Sequence, residues 1–200
     1  MHNLQDFMIS KTRAKIMELF FSQPDSLFYI REIQRLAKEE VNAVRRELER
    51  MAGYGLLKME ERGNRSYYFL NKNYTYFTEL TQMVAKSQGL GKKIRQQLTK
   101  LGKIKYVMFS GKYIHSRRSH PDEVDMLVIG EVVLPELQLL IKEEQDRIGR
   151  EINYTVFSLE EFEFRKSRRD PFIMEILYSS RVMVVGNDVE FARRQLPGLN

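Results

Sequence analysis

A chain of 200 residues is long enough for one large domain or two small ones, and its 42% share of hydrophobic residues is ample for packed cores. The absence of Cys excludes disulfides and thiolate metal sites, and the absence of a long apolar segment argues against a membrane partner and predicts a cytoplasmic location. Residues 1–100 hold 18 Lys and Arg against 11 Asp and Glu, whereas residues 101–200 hold 15 against 16. The basic first half indicates a polyanionic partner.

Three amphipathic helices are predicted first. One covers residues 10–21 and starts at a Ser cap, and the next covers residues 29–37 with apolar residues at helical spacing. A third follows residues 38–40, and its apolar residues repeat at intervals of three and four: Val41, Val44, Leu48 and Met51. The opposite side of this third helix carries the polar residues Asn42, Arg45, Arg46 and Glu49.

Asn42, Arg45 and Arg46 are the candidates for contacting DNA bases. Arg can bond to guanine through two hydrogen bonds, and Asn can do the same with adenine. The same Arg side chains can instead hold a phosphate, which carries no sequence information. The sequence does not decide between these two roles for Arg45 and Arg46.

A hairpin is predicted after the third helix. Its strands cover residues 56–60 and 66–70, and Gly63 and Asn64 form the turn. Arg62 and Arg65 flank that turn, so they and Asn64 are assigned to phosphate or minor-groove contact; an ordinary solvated hairpin is the alternative. Helices followed by such a hairpin are typical of a winged helix-turn-helix, in which a braced helix enters the major groove and the hairpin reaches the neighbouring backbone.

Residues 1–73 resemble the winged helix regulators of the ArsR-like kind in this order of elements. The resemblance implies binding of double-stranded operator DNA as a homodimer. Residues 74–100 are interpreted as a connector, with apolar Phe77, Leu80 and Val84 on a helix and Gly89 and Gly91 as interruptions. This segment either supplies the dimer interface or packs on its own domain.

Residues 101–200 predict an α/β domain with a mixed sheet. Apolar strands are expected at residues 105–109, 124–129 and 152–157, and a helix at residues 134–147. Ser158 is expected to cap a further helix, and residues 171–178, 181–185 and 189 onwards predict a helix, a strand and a terminal helix. The predicted class of the whole chain is therefore α+β.

Polar residues accompany these strands in a recognisable pattern: Ser110-Gly111 follows the first strand, Glu123-Val124-Asp125 opens the second, and Asn153 lies on the third. The pattern resembles the minimal nucleotidyltransferases of the DNA polymerase beta superfamily, in which a Gly-Ser pair receives phosphates and an Asp-x-Asp pair with a third Asp holds metal ions. Here Ser110-Gly111 reverses the pair, Glu123 replaces one Asp, and Asn153 replaces the third. The resemblance implies a degenerate domain without catalytic residues, metal or cofactor, kept as a sensor or interaction module.

Four further assignments concern the second half of the sequence. A basic loop over residues 112–120 follows Ser110 and Gly111. These two residues and Lys112, the first residue of the loop, are possible ligands of a nucleotide or small-molecule effector. Glu123 and Asp125 are expected to be solvated carboxylates at a strand mouth. The spacing of His115, His120 and Asp122 fits no familiar metal site, and the basic run at residues 165–169 is interpreted as an exposed helix end.

The leading hypothesis is a transcriptional regulator that binds duplex DNA. The alternative is an active nucleotidyltransferase that modifies a protein or small molecule, with Mg²⁺ and nucleotide held by Ser110, Glu123 and Asp125. A protein-interaction module that binds neither DNA nor nucleotide is the third possibility.

Overall fold

The structure, a computed structural model, describes residues 10–115 and 123–193. These residues form two compact units with the boundary between Ser87 and Gln88. Both units mix helices with strands, which confirms the α+β class at this coarse level. Within the described ranges, no helix is long and apolar enough to span a membrane.

The first unit packs helices against a small antiparallel sheet of strand order β1-β3-β2. Its elements are α1 Lys11–Ser22, β1 Phe28–Tyr29, α2 Ile30–Ala37, α3 Val41–Gly53, β2 Leu57–Arg62, β3 Arg65–Leu70 and α4 Phe77–Ser87. The predicted cap of α1 is confirmed, because the Ser10 hydroxyl accepts a hydrogen bond from the Arg13 N–H at 3.2 Å. Lys38 ends α2 with a φ of +52°, and this left-handed residue produces the short turn into α3.

One hydrophobic core serves the helices and the sheet of this unit. Each helix contributes residues at the predicted spacing, and one face of the sheet closes the core; its members include Ile16, Phe20, Ile33, Leu48, Tyr68 and Leu70. Strand β1 was not predicted, because two residues are too few for a periodic pattern. It pairs with β3, so that Phe28 joins the core.

The apolar side of α4 packs on this same core. Phe77 stacks on Phe21 with ring centroids 5.6 Å apart, and Val84 is buried. Leu80 is partly buried against the same cluster. Residues 74–100 fall on both sides of the unit boundary, because the following helix belongs to the second unit.

A four-stranded mixed sheet of order β6-β5-β4-β7 organises the second unit. Its strands are β4 Gly102–Ser110, β5 Met126–Val132, β6 Tyr154–Phe157 and β7 Arg181–Val185. Strands β5 and β6 are parallel, and the other two pairings are antiparallel. The helices of this unit are α5 Gly89–Gln96, α6 Gly111–Ile114, α7 Leu134–Ile148, α8 Leu159–Ser167, α9 Pro171–Tyr178 and α10 Asp188–Ala192.

Helices cover both faces of this sheet. Alternate residues of β4 and β5 enter two clusters, one with α5 and α7 and the other with α8, α9 and α10. Burial on both faces explains why these central strands are continuous apolar runs in the sequence. Ser158 caps α8 as predicted, since its hydroxyl accepts a hydrogen bond from the Glu161 N–H at 3.0 Å.

The predicted break between two helices is present at Gly89, because one helix ends at Ser87 and the next starts at Gly89, but the prediction is wrong for Gly91. Helix α5 begins at Gly89, and Gly91 is buried within it. A Cβ atom on Gly89 would lie 3.0 Å from Glu144 Oε1 and 3.2 Å from Arg147 Nη2. Gly89 has a φ of +50°, a left-handed conformation that favours glycine, and the nearby ion pair of α7 leaves little room for a side chain.

Candidate functional site

Helix α3 presents its predicted polar side to solvent. Val44, Leu48 and Met51 are completely buried on the inner side. Asn42, Arg45 and Arg46 are exposed on the other, and neither guanidinium forms a salt bridge or hydrogen bond with another described residue. The donors needed to contact a polyanion are therefore available on one surface of a packed helix.

A buried ion pair fixes α3 against α1. Arg13 Nε donates a hydrogen bond to Glu47 Oε2 at 2.8 Å, and the Glu47 side chain is 7% exposed. Burial by itself raises the pKa of Glu47, but the hydrogen bonds from Arg13 and Ser10 and the charges of Arg13 and Arg50 lower it below its ordinary value. The burial of Glu47 was not predicted from the sequence, although its position three residues after Val44 places it on the apolar side of the helix.

The start of α3 is capped by its own chain. Glu40 Oε2 accepts a hydrogen bond from the Ala43 N–H at 3.0 Å. Hydrogen bonds from the backbone N–H groups of Asn42 and Ala43 lower the pKa of Glu40. The carboxylate thus satisfies donors at the helix start, beside the residues assigned to DNA.

The hairpin has the predicted two-residue turn. Arg62 pairs with Arg65 in the register, and Gly63 between them has a φ of +58°. A type II′ turn requires a positive φ at its first position, so Gly63 suits it. Arg62, Asn64 and Arg65 are all exposed, as the assignment to DNA contact requires.

The two wing cations differ in their surroundings. Arg62 Nε and Nη2 donate to the two carboxylate oxygens of Glu60 at 3.0 and 3.2 Å, and this pairing raises the pKa of Arg62 and lowers that of Glu60. Arg65 instead lies over the Tyr29 ring, with its Cζ atom 4.8 Å from the centroid. A phosphate that binds Arg62 through the same two nitrogens must displace the Glu60 carboxylate. Arg65 contacts an uncharged ring, so a phosphate can bind it without displacing a carboxylate.

The overall charge does not single out the first unit. Residues 1–87 hold 14 Lys and Arg against 11 Asp and Glu, a net charge of +3. Residues 88–200 hold 19 against 16, again +3. The excess seen in residues 1–100 depends on four cations beyond Ser87, so the placement of individual side chains, rather than net charge, supports this site.

In the second unit, Ser110, Asp125 and Asn153 meet at one end of the sheet. The Ser110 N–H donates to the Asp125 carbonyl at 2.8 Å, and the Asp125 N–H donates to the Asn153 carbonyl at 2.8 Å. The residues that the sequence pattern grouped are therefore neighbours in the structure.

The expectation that Glu123 and Asp125 are both solvated is wrong for Asp125. Only 1% of Asp125 is exposed, and its Oδ2 atom accepts a hydrogen bond from the Asn153 N–H at 3.1 Å. Arg150 Nη1 lies 3.8 Å from the same oxygen. A backbone donor and a nearby guanidinium compensate the burial of this carboxylate. The sequence pattern includes Asn153 but does not point to Arg150.

The groups assigned to an effector are engaged within the unit. The Ser110 hydroxyl accepts a hydrogen bond from the Tyr113 N–H at 3.2 Å, and the Gly111 N–H donates to the Ser180 carbonyl at 2.8 Å. Lys112 forms an ion pair with Glu123. Burial raises the pKa of the Tyr113 hydroxyl, and the nearby carboxylate of Glu144 adds to this effect.

The three residues assigned to an effector, Ser110, Gly111 and Lys112, line a pocket of about 230 Å³ in the second unit. Its walls come from the strand mouth, from α9 and from the start of β7; they include Ser110, Gly111, Lys112, Glu123, Glu175 and Arg181. The volume is small compared with pockets of roughly 300–1,000 Å³ that hold drug-sized ligands. A small polar molecule is the kind of ligand that this pocket would admit.

The basic loop and the histidines are only partly described. Residues 116–122, which include His120 and Asp122, lie outside the described residues. Within residues 10–115 and 123–193, no group of three or more His, Cys, Asp or Glu side chains is arranged to hold a metal ion. The basic run at 165–169 is not uniformly exposed as expected. Lys166 is 3% exposed, and its Nζ atom donates to Glu163 Oε1 at 2.8 Å.

No protein-family model, curated protein or solved structure matches the chain. Its function is therefore inferred from the chemistry of these two sites.

Proposed function

We propose that this chain is a transcriptional regulator whose first unit is a winged helix-turn-helix that binds double-stranded DNA. In this proposal α3 enters the major groove, and the β2–β3 hairpin is the wing that contacts the neighbouring backbone. The observation that carries it is the two-sided character of α3, with Val44, Leu48 and Met51 fully buried and Asn42, Arg45 and Arg46 exposed.

Each proposed contact has a physical reason. Arg45 and Arg46 carry charges that no carboxylate of the described chain neutralises through a salt bridge. Asn42 has an amide that can pair with adenine. Arg65 and the turn residue Asn64 extend from the tip of the hairpin, where phosphates or the minor groove would be met.

A homodimer remains part of the proposal, because the resemblance to ArsR-like regulators implies one. Two copies would place their α3 helices in successive major grooves, about 34–36 Å apart along the duplex. Phe77, Leu80 and Val84 contact the core of their own unit, so other residues would have to form the dimer interface.

We infer that the second unit is a nucleotidyltransferase-like domain that senses an effector or binds a partner. The donors at its strand mouth do not fit a pair of Mg²⁺ ions. Asp125 is buried with a backbone donor, Glu123 is paired with Lys112, and Asn153 has no charge. Magnesium sites for nucleotide transfer need accessible carboxylates, so regulation is better supported than catalysis.

The salt dependence of binding to random duplex DNA tests the role of α3. Each phosphate contact contributes about −0.9 to the slope of log K against log salt concentration. We expect Arg45→Ala and Arg46→Ala to lower the magnitude of the slope by roughly 0.9 each, if each contacts a phosphate. A side chain that reads a base would instead change the preference among sequences.

Arg168→Ala is the matched control, because Arg168 is an exposed cation in the second unit that lies over Phe164. The control removes the same charge and is expected to leave slope and sequence preference unchanged. Equal effects of all three variants would mean that binding depends on net charge, and α3 would lose its proposed role.

A further inference from the structure

The small sheet of the first unit has one face that takes no part in the core. Phe28, Tyr68, Leu70 and Leu57 are buried on the other face. Because side chains alternate along a strand, their neighbours in sequence point away from the core. The outer face consists of Tyr29, Lys58, Glu60, Arg62, Arg65, Tyr67 and Phe69.

Flat groups lie next to one another on this outer face. Tyr29 is directly opposite Tyr67 in the register, and their rings meet edge to face with centroids 5.8 Å apart. Arg65 lies over the Tyr29 ring at 4.8 Å, and Arg62 lies over the Tyr67 ring at 5.8 Å. Rings and guanidinium planes therefore alternate across the three strands of the sheet.

The charge of the face is complementary to a polyanion. Lys58, Arg62 and Arg65 are exposed cations, and Glu60 is the one acidic side chain in this set, so the set has a net charge of +2. The rings of Tyr29, Tyr67 and Phe69 are partly exposed. A partner that fits this face must combine negative charge with flat apolar surfaces.

Unpaired nucleic acid has this combination, whereas duplex DNA does not expose the faces of its bases. Bases stack on aromatic rings and on Arg guanidinium planes, while nearby cations attract the phosphates. We propose that the outer face of the β1-β3-β2 sheet binds single-stranded nucleic acid by base stacking. This surface is distinct from the outward side of α3 but shares Arg62 and Arg65 with the proposed wing, and the stacking inference itself does not depend on duplex binding.

Binding of the intact protein to labelled oligonucleotides of about 20 nucleotides tests this proposal. The probes are oligothymidine, oligouridine and an abasic DNA strand of the same length, each followed by fluorescence anisotropy at low salt. The abasic strand has the phosphates without the bases, so we expect the thymidine and uridine strands to bind more tightly. Equal affinity of all three strands would overturn stacking, and a preference between the first two would show whether DNA or RNA is favoured.

Substitutions at Tyr67 distinguish the loss of ring stacking from a loss of folded structure. Tyr67→Val keeps a side chain that favours strands, and it is expected to lower the affinity for oligothymidine about 5- to 150-fold, the range found when one stacking residue is removed. Tyr67→Phe keeps the ring and should retain the affinity. Tyr178→Ala removes a Tyr that is 81% exposed in the second unit and should also bind normally.

Duplex binding of the same variants distinguishes this proposal from the proposed regulator. Tyr67→Val should leave the salt slope for duplex DNA unchanged, and Arg45→Ala should leave the preference for oligothymidine over the abasic strand unchanged. Binding of oligothymidine by Tyr67→Val as tightly as by Tyr67→Phe would overturn the inference. So would failure of the unmodified protein to bind either base-containing strand.

Discussion

Glu47 is the residue whose environment most directly determines how α3 is held. It lies on the inner side of that helix, accepts a hydrogen bond from Arg13 at 2.8 Å and is 3.4 Å from Arg50 Nη1. Removing one partner of a buried ion pair leaves the other without compensation. The 24% exposure of the Arg13 side chain moderates this cost.

We expect Glu47→Gln to lower the free energy of unfolding by about 1–3 kcal/mol at neutral pH. The folded pKa of Glu47 lies below its ordinary value of 4.5, so its stabilising contribution is present above that value and is lost as the pH falls through the folded pKa. Urea unfolding at several pH values measures this. The difference between wild type and variant should shrink in acid.

Glu49→Gln is the matched control, because Glu49 is exposed on the same helix. A surface change of this kind is expected to alter stability by less than about 0.5 kcal/mol. If the two variants have the same stability, the Arg13–Glu47 pair does not hold α3.

Residue identity predicts some of these roles and not others. The spacing of Val44, Leu48 and Met51 was sufficient to identify which side of α3 is buried. The pattern that groups Asp125 with Asn153 did not reveal that Asp125 is buried, because the compensating Asn153 N–H and the Arg150 guanidinium lie far from it in sequence. Partners that are distant in sequence have no local pattern.

The β2–β3 hairpin is the element on which both proposed nucleic-acid surfaces depend. Its turn places Asn64 and Arg65 at the tip, and its register places Tyr67 opposite Tyr29. Gly63 has a φ of +58°, a conformation that costs an L-residue about 1–2 kcal/mol. The turn is therefore sensitive to a single methyl group.

We expect Gly63→Ala to lower the free energy of unfolding by about 1–2 kcal/mol, because the added Cβ is strained in this conformation. Nothing lies within 4 Å of that Cβ position, so steric contact adds no further cost. Gly53→Ala is the control, since Gly53 ends α3 and also has open space around it. Urea unfolding that shows equal loss in both variants would contradict the proposed role of the turn.

Elements with a strong period were predicted well, and short ones were not. The spacing in α7 predicted that helix to within one residue of its observed bounds, whereas the apolar runs located β4 and β5 but missed the start of β4 and the end of β5 by three residues each. Strand β1 exists because Phe28 and Tyr29 pair with β3, and Gly91 remains inside α5, where it is buried. In both elements the packing of the folded unit, rather than the local sequence pattern, determines the secondary structure.

At the scale of the whole molecule, two units of equal net charge are joined at Ser87 and Gln88. The first carries the cations that we assign to duplex DNA, and the second carries a small pocket in which Lys112 is paired with Glu123. A ligand that displaces Glu123 from Lys112 would change the charge pattern of the pocket. This arrangement is consistent with a regulator whose second unit responds to a small molecule.

The affinity of the intact protein for random duplex DNA, measured between about 50 and 200 mM salt, tests the central claim most directly. Contacts from Arg45, Arg46 and the wing predict binding at the low end of this range and a log-log slope steeper than about −3. Failure to bind duplex DNA at about 50 mM salt, or a slope near zero, would contradict the assignment of the first unit to DNA.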